Sequence, residues 1–93
     1  MYGTIARLRA KPGALEMLSK LEQRHPQGFV ASYVYQMDSA PNELWLVVLF
    51  KDRESYLANA ESEIQHQEYL QIRALLEEDP QWHDGQVVFE TSA

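Results

Sequence analysis

His66 carries the side chain with the most direct chemical capability in this chain. An imidazole titrates near neutrality and serves as a general base. Its neighbours Gln65, Gln67 and Glu68 equally suit a solvated helix face. Arg7 lies in an N-terminal strand pattern, where a cation can bind a carboxylate or phenolate, or pair with an acidic residue such as Glu90 on a neighbouring strand. Tyr33, Trp45 and Tyr69 are rings that could wall an apolar pocket for a flat aromatic ligand, or be spent on core and interface. His25 and His83 stand beside Pro26 and Trp82 without metal-ligand spacing, so no metal site is expected. Glu61, Glu63, Glu68, Glu77, Glu78 and Asp79 read as a solvated acidic face. There is no phosphate-binding glycine loop, no nucleophile elbow and no H-E-x-x-H pair.

These residues must be held by one small domain, expected to span residues 1–93. Fourteen acidic against eight basic side chains give a net charge of −6, which argues against a nucleic-acid partner. Without cysteine there is no disulfide, thiolate metal site or cysteine nucleophile. No apolar run approaches the roughly 20 residues of a membrane helix, and residues 1–9 lack the apolar core of a secretion signal. The expected location is cytoplasmic, with no membrane partner.

The hydropathy pattern supplies the elements. Residues 2–10 alternate, with Tyr2, Thr4, Ala6 and Leu8 on one face, and end at Lys11-Pro12-Gly13. A helix is expected from there to about Arg24, along Leu15, Leu18 and Leu21. Strands at 29–37 and 43–51 flank a turn at 38–42 and form a hairpin. Asp52 is placed to cap a second helix that runs to about Glu78. Its two apolar stripes do not join near residues 61–63, so a bend is expected there. Trp82-His83-Asp84-Gly85 reads as a turn, followed by a last strand at 86–91 through Val87, Val88 and Phe89. The order β-α-β-β-α-β specifies an α+β, ferredoxin-like fold: a four-stranded antiparallel sheet with two helices on one face. The acidic balance, and the lack of an aromatic-plus-basic motif on the first and third strands, set it apart from RNA-binding domains of that topology.

The third strand is the most informative. Leu44-Trp45-Leu46-Val47-Val48-Leu49-Phe50 is apolar at every position, although a half-exposed antiparallel strand should alternate. Two helices cover one face only. Leaving three such side chains exposed on the other costs about 5–8 kcal/mol, at roughly 1.5–3 each. A second copy packed sheet against sheet is the simplest cover, so a homodimer is expected.

Three stretches carry a resemblance over nearly the whole chain: the strand 4–11 running into Pro12-Gly13, the hairpin ending in Phe50-Lys51-Asp52, and the helix segment 52–62. In these the chain resembles the dimeric α+β barrel superfamily, and most of all its antibiotic biosynthesis monooxygenase (ABM)-like domains. The resemblance implies a dimeric α+β barrel and a cofactor-independent monooxygenase acting on a small aromatic, quinol- or phenol-like substrate. It implies no bound cofactor. On that reading Asn59, His66 and Tyr69 are the expected catalytic residues, and Tyr33, Trp45 and Arg7, by their own chemistry, the expected substrate-binding residues. Asn59 stands near where that branch often carries a histidine; there it would hydrogen-bond a substrate oxygen or orient a peroxide, or simply occupy an exposed helix side. The Asn and Trp that mark the haem-degrading members are missing from the first strand and second helix, which disfavours haem degradation. The alternative is a non-catalytic dimer of the same fold that binds a small hydrophobic molecule or serves as an interaction module. An isomerase or a dehalogenase-like lyase is a third use of the fold.

Overall fold

A computed structural model describes residues 1–21 and 24–93. The chain runs β1 (Tyr2–Arg9), α1 (Ala14–Ser19), β2 (Phe29–Met37), β3 (Ala40–Phe50), α2 (Arg53–Ala60), α3 (Glu63–Arg73) and β4 (Gln81–Gln86). The strands form one antiparallel sheet in the order β2-β3-β1-β4. This is the ferredoxin-like arrangement read from the sequence, with the second helix in two pieces. Among the described residues, no helix is long and apolar enough to cross a membrane.

Alternation along β1 and its register with β3 assign the two faces of the sheet. Thr4, Ala6 and Leu8 are buried toward the helices, opposite Val48, Leu46 and Leu44. Ala6, Leu8, Ala10, Ala14, Leu44 and Leu76 form the buried cluster, with Leu18, Leu46, Ile72 and Leu75 packed against it. A second, aromatic group sits at the other end of the sheet, where Phe50 meets Phe29 and Tyr56 edge-on. Gly28 makes the sharp entry to β2: its φ of 83° is costly for any other residue, and a Cβ there would collide with Ser55.

Four boundaries differ from the pattern. The turn expected at 38–42 is only Asp38-Ser39, because β3 already begins at Ala40 rather than at Glu43. The first helix stops at Ser19 rather than near Arg24. Its last turn tightens into i→i+3 bonds, Lys20 N–H to Met17 O and Leu21 N–H to Leu18 O, and Arg24 lies outside it. Part of the stretch expected to be helical, residues 22–23, lies outside the described residues. The expected bend near 61–63 is a complete break. Ser62 caps α3 by accepting from Gln65 N–H at 3.1 Å while its hydroxyl donates to Asn59 O at 2.7 Å. Helix α3 then ends at Arg73, because Leu75, Leu76 and Glu77 leave it to bond along residues 9–11 of the sheet edge.

The last strand is displaced by five residues from its expected start. Trp82-His83-Asp84-Gly85 is not a turn but the middle of β4, paired with residues 3–6 of β1. The ladder ends at Tyr2–Gln86, followed by one bond from Val87 N–H to Met1 O. Val88 and Phe89 therefore continue past the sheet and are 86% and 80% exposed.

Candidate functional site

Two inward-facing rows cross the sheet beside the core. In strand order β2, β3, β1, β4 they read Ser32, Val48, Thr4, Asp84 and Val34, Leu46, Ala6, Trp82. Thr4, Ala6 and Ser32 are small, so the helix layer cannot fill the space above them. All but Ala6 line a cavity of about 560 Å³ between the sheet and helices α2 and α3. Tyr56 and Asn59 of α2, and His66, Tyr69 and Ile72 of α3, form its roof; Phe29 and Phe50 close one end. The break at Ser62 turns α3 relative to α2, so that residues on both pieces face one space.

Polar groups gather in two places on this largely apolar wall. At the helix break, Arg24 donates from Nη2 to Asn59 Oδ1 at 2.7 Å and from Nε to Glu68 Oε1 at 2.5 Å. Asn59 Nδ2 donates to Gln65 Oε1 at 3.2 Å. Arg24 thereby ties the segment before β2 to both helices. Across the cavity, the Tyr56 hydroxyl donates to Asp84 Oδ1 at 2.9 Å. Burial pushes the Tyr56 phenol up to about 12, with the hydrogen bond and charge of Asp84 adding to the rise. Tyr56 is thus a donor throughout the neutral range. The Thr4 hydroxyl lies near enough to oppose that rise. Yet Thr4 is only 4% exposed, and its Oγ1 has no hydrogen-bond partner of good geometry among the described residues.

The structure brings Asn59, His66 and Tyr69 together on the cavity wall. His66 is exposed at the rim, and Tyr69 is half-buried with its ring 6.2 Å from that of Trp82. Tyr33, Trp45 and Arg7 stand elsewhere. They share the parity of Ile5, Val47 and Leu49, and so point away from the helices on the opposite face of the sheet. There Arg7 pairs with Glu43 rather than Glu90, and Trp45 stacks on His83 at 6.4 Å. Thr4, Arg24 and Asp84 are polar cavity residues that sequence reasoning missed. The usable signal was parity: Trp82 and Asp84 are two apart, as neighbours on one face of a strand must be.

No family model matches the chain, and no curated protein matches it. Solved structures do. One from Deinococcus radiodurans is 13% identical with a TM-score of 0.78, over 100% of this chain and 98% of its own. One from Nitrosomonas europaea is 17% identical with a TM-score of 0.76, over 96% and 100%. One from Chloroflexus aurantiacus is 21% identical with a TM-score of 0.74, over 98% and 96%. Each is described as a "putative antibiotic biosynthesis monooxygenase". At these identities the likeness shows a shared fold across essentially the whole chain.

Proposed function

We propose that the cavity binds a small aromatic, quinol- or phenol-like molecule and that the protein acts on it as a cofactor-independent monooxygenase. The observation that carries this reading is the cavity itself. A space of about 560 Å³, walled by aliphatic and aromatic side chains with polar groups at two separated places, suits a flat ligand that needs orienting. The names of the solved structures of this fold support the same direction.

The chemistry needs little from the protein. An electron-rich phenol loses a proton and gives an electron to dioxygen. The resulting pair joins in a C–O bond, and the hydroperoxide so formed loses water to leave a new carbonyl. Phenol plus dioxygen gives quinone plus water, so both hydrogens of the water come from the substrate and no reductant is required. The side chains would position the ring and support developing charge. His66 at the rim is the candidate proton acceptor, while Asn59 and Tyr69 are the candidate hydrogen-bonding groups. Tyr33, Trp45 and Arg7, facing away from the cavity, are assigned to a second surface.

That surface supports the homodimer. On the outer face of the sheet, Ile5, Tyr33, Tyr35, Trp45, Val47 and Leu49 form a continuous apolar area, with the charges of Arg7 and Arg9 at its end paired to Glu43 and Glu78. Edge strand β2 turns Tyr33 and Tyr35 outward and Ser32 and Gln36 toward the helices, the reverse of what a monomer would favour. A second copy of this chain is the occupant that meets such a self-complementary, apolar surface.

One observation favours the alternative of a non-catalytic binding protein: Asn59 has its carbonyl engaged by Arg24 and its amide by Gln65. Oxygen uptake separates the two. The oxygenase consumes one dioxygen per substrate converted, above the rate of spontaneous oxidation. A binder takes up the same aromatic without consuming oxygen.

A further inference from the structure

The geometry points to a hydrogen-bonding subsite at Thr4, Tyr56 and Asp84 that receives an un-ionised hydroxyl or amino group of the ligand, so that the cavity selects aromatic hydrogen-bond donors over aromatic carboxylates. This inference rests on the reading of the cavity as a small-molecule site and adds the class of group that anchors the ligand.

Three observations converge. Thr4 and Asp84 are direct cross-strand partners on the inward face of β1 and β4, and both line the cavity. Side chains so paired have Cβ atoms about 5 Å apart, a distance that one ligand oxygen or nitrogen can bridge. The Asp84 carboxylate is held in place by the Tyr56 hydroxyl, which occupies only Oδ1. That bond leaves the lone pairs of Oδ2 free for a ligand, on a side chain that is itself exposed. Finally, the Thr4 hydroxyl is buried without a partner of good geometry among the described residues. A buried polar group in that condition costs free energy until something bonds to it.

A ligand hydroxyl satisfies both requirements at once: it donates to Asp84 Oδ2 and accepts from Thr4 Oγ1. An amino group satisfies the carboxylate. A ligand carboxylate offers no donor to Asp84 and sets two negative charges side by side. Tyr56 does not relieve that repulsion, because its only proton is already given to Asp84. The half-buried ring of Tyr56, backed edge-on by Phe50, offers an apolar surface to the body of an aromatic ligand.

The test is calorimetric titration of the full chain with three probes of one size: 1-naphthol, 1-methoxynaphthalene and 1-naphthoate. Wild type is expected to bind the naphthol at least tenfold more tightly than the ether, and the naphthoate most weakly. Asp84→Ala should bring naphthol and ether to within about threefold of each other. Asp84→Asn, which preserves shape, should retain part of the preference and guards against a folding defect in the alanine variant. Equal affinity for naphthol and ether in wild type, or a preference unchanged in both variants, overturns the subsite while leaving the cavity as a binding site. Tightest binding of the naphthoate also overturns it and moves the anchor to Arg24. If none of the three probes binds, the cavity reading falls and this inference with it.

Discussion

Replacing Thr4 by valine puts the account of the cavity floor to a stability test. The substitution keeps the β-branched shape that suits a strand and removes only the hydroxyl. That hydroxyl is buried, with no partner of good geometry among the described residues. A polar group left unsatisfied in a protein interior costs about 1–3 kcal/mol, and the methyl that replaces it gains apolar contact with Val48, its cross-strand partner, or with the ligand space. Thr4 borders a cavity that water can enter, so the lower end of the range applies. Thr4→Val is therefore expected to stabilise the unliganded protein by about 1 kcal/mol, raising Tm by roughly 4–8 °C for a domain of this size. Urea denaturation at one fixed protein concentration measures it, because self-association shifts apparent stability with concentration. The same variant should bind 1-naphthol less tightly, so that stability rises as affinity falls. A loss of 1 kcal/mol or more in the unliganded protein would show that the hydroxyl is well bonded in solution and would refute the reasoning.

Three further outcomes follow from the geometry. Ser62→Ala removes the cap of α3 and should cost about 1 kcal/mol in denaturant unfolding; an unchanged midpoint would mean that the helix break does not depend on it. Val47→Asp places a charge in the centre of the outer sheet face and should weaken self-association by about 3 kcal/mol or more, read as a shift to monomer in sedimentation; an unaltered dimer would place the interface elsewhere. Asp52 caps α2 by accepting from Ser55 N–H, and that hydrogen bond holds its carboxyl below the usual aspartate range. A depressed folded-state pKa contributes stability above the unfolded value that is lost as pH falls through the folded one. The stability gap between wild type and Asp52→Ala should accordingly be full at neutral pH and close in strong acid; a gap independent of pH would contradict the capping role of the charged form.

Much of the fold was legible because local chemistry and tertiary structure agree. Pro12-Gly13 and the cap at Asp52 punctuate the chain where the elements begin and end, the turn read at 38–42 contains the shorter one observed, and the mismatch of apolar stripes near Glu61–Glu63 marked the break at Ser62. The last strand was not legible. Trp-His-Asp-Gly has turn composition, and only the free edge of β1 makes it a strand. Losing that strand hid Asp84, and with it one polar end of the cavity. Tyr33 and Trp45 illustrate a different limit. A strand that is apolar at both parities says that both faces want burial but not which face the helices take. That assignment comes from Thr4, Ala6 and Leu8 through the register of β1 with β3. Asn59, His66 and Tyr69 meet on one cavity only in three dimensions, since they stand on two helices separated by the break at Ser62.

The central claim, that the space between the sheet and helices α2 and α3 is a binding site for a small aromatic, is tested most directly by titrating 1-naphthol into wild type and into Val48→Phe. Val48 sits in the middle of the cavity floor, so the larger ring enters the cavity rather than the packed core. The expected result is saturable binding of one molecule per protomer in wild type, weakened at least tenfold in a variant that remains folded. Equal affinity in the two proteins would place the ligand elsewhere and contradict the account.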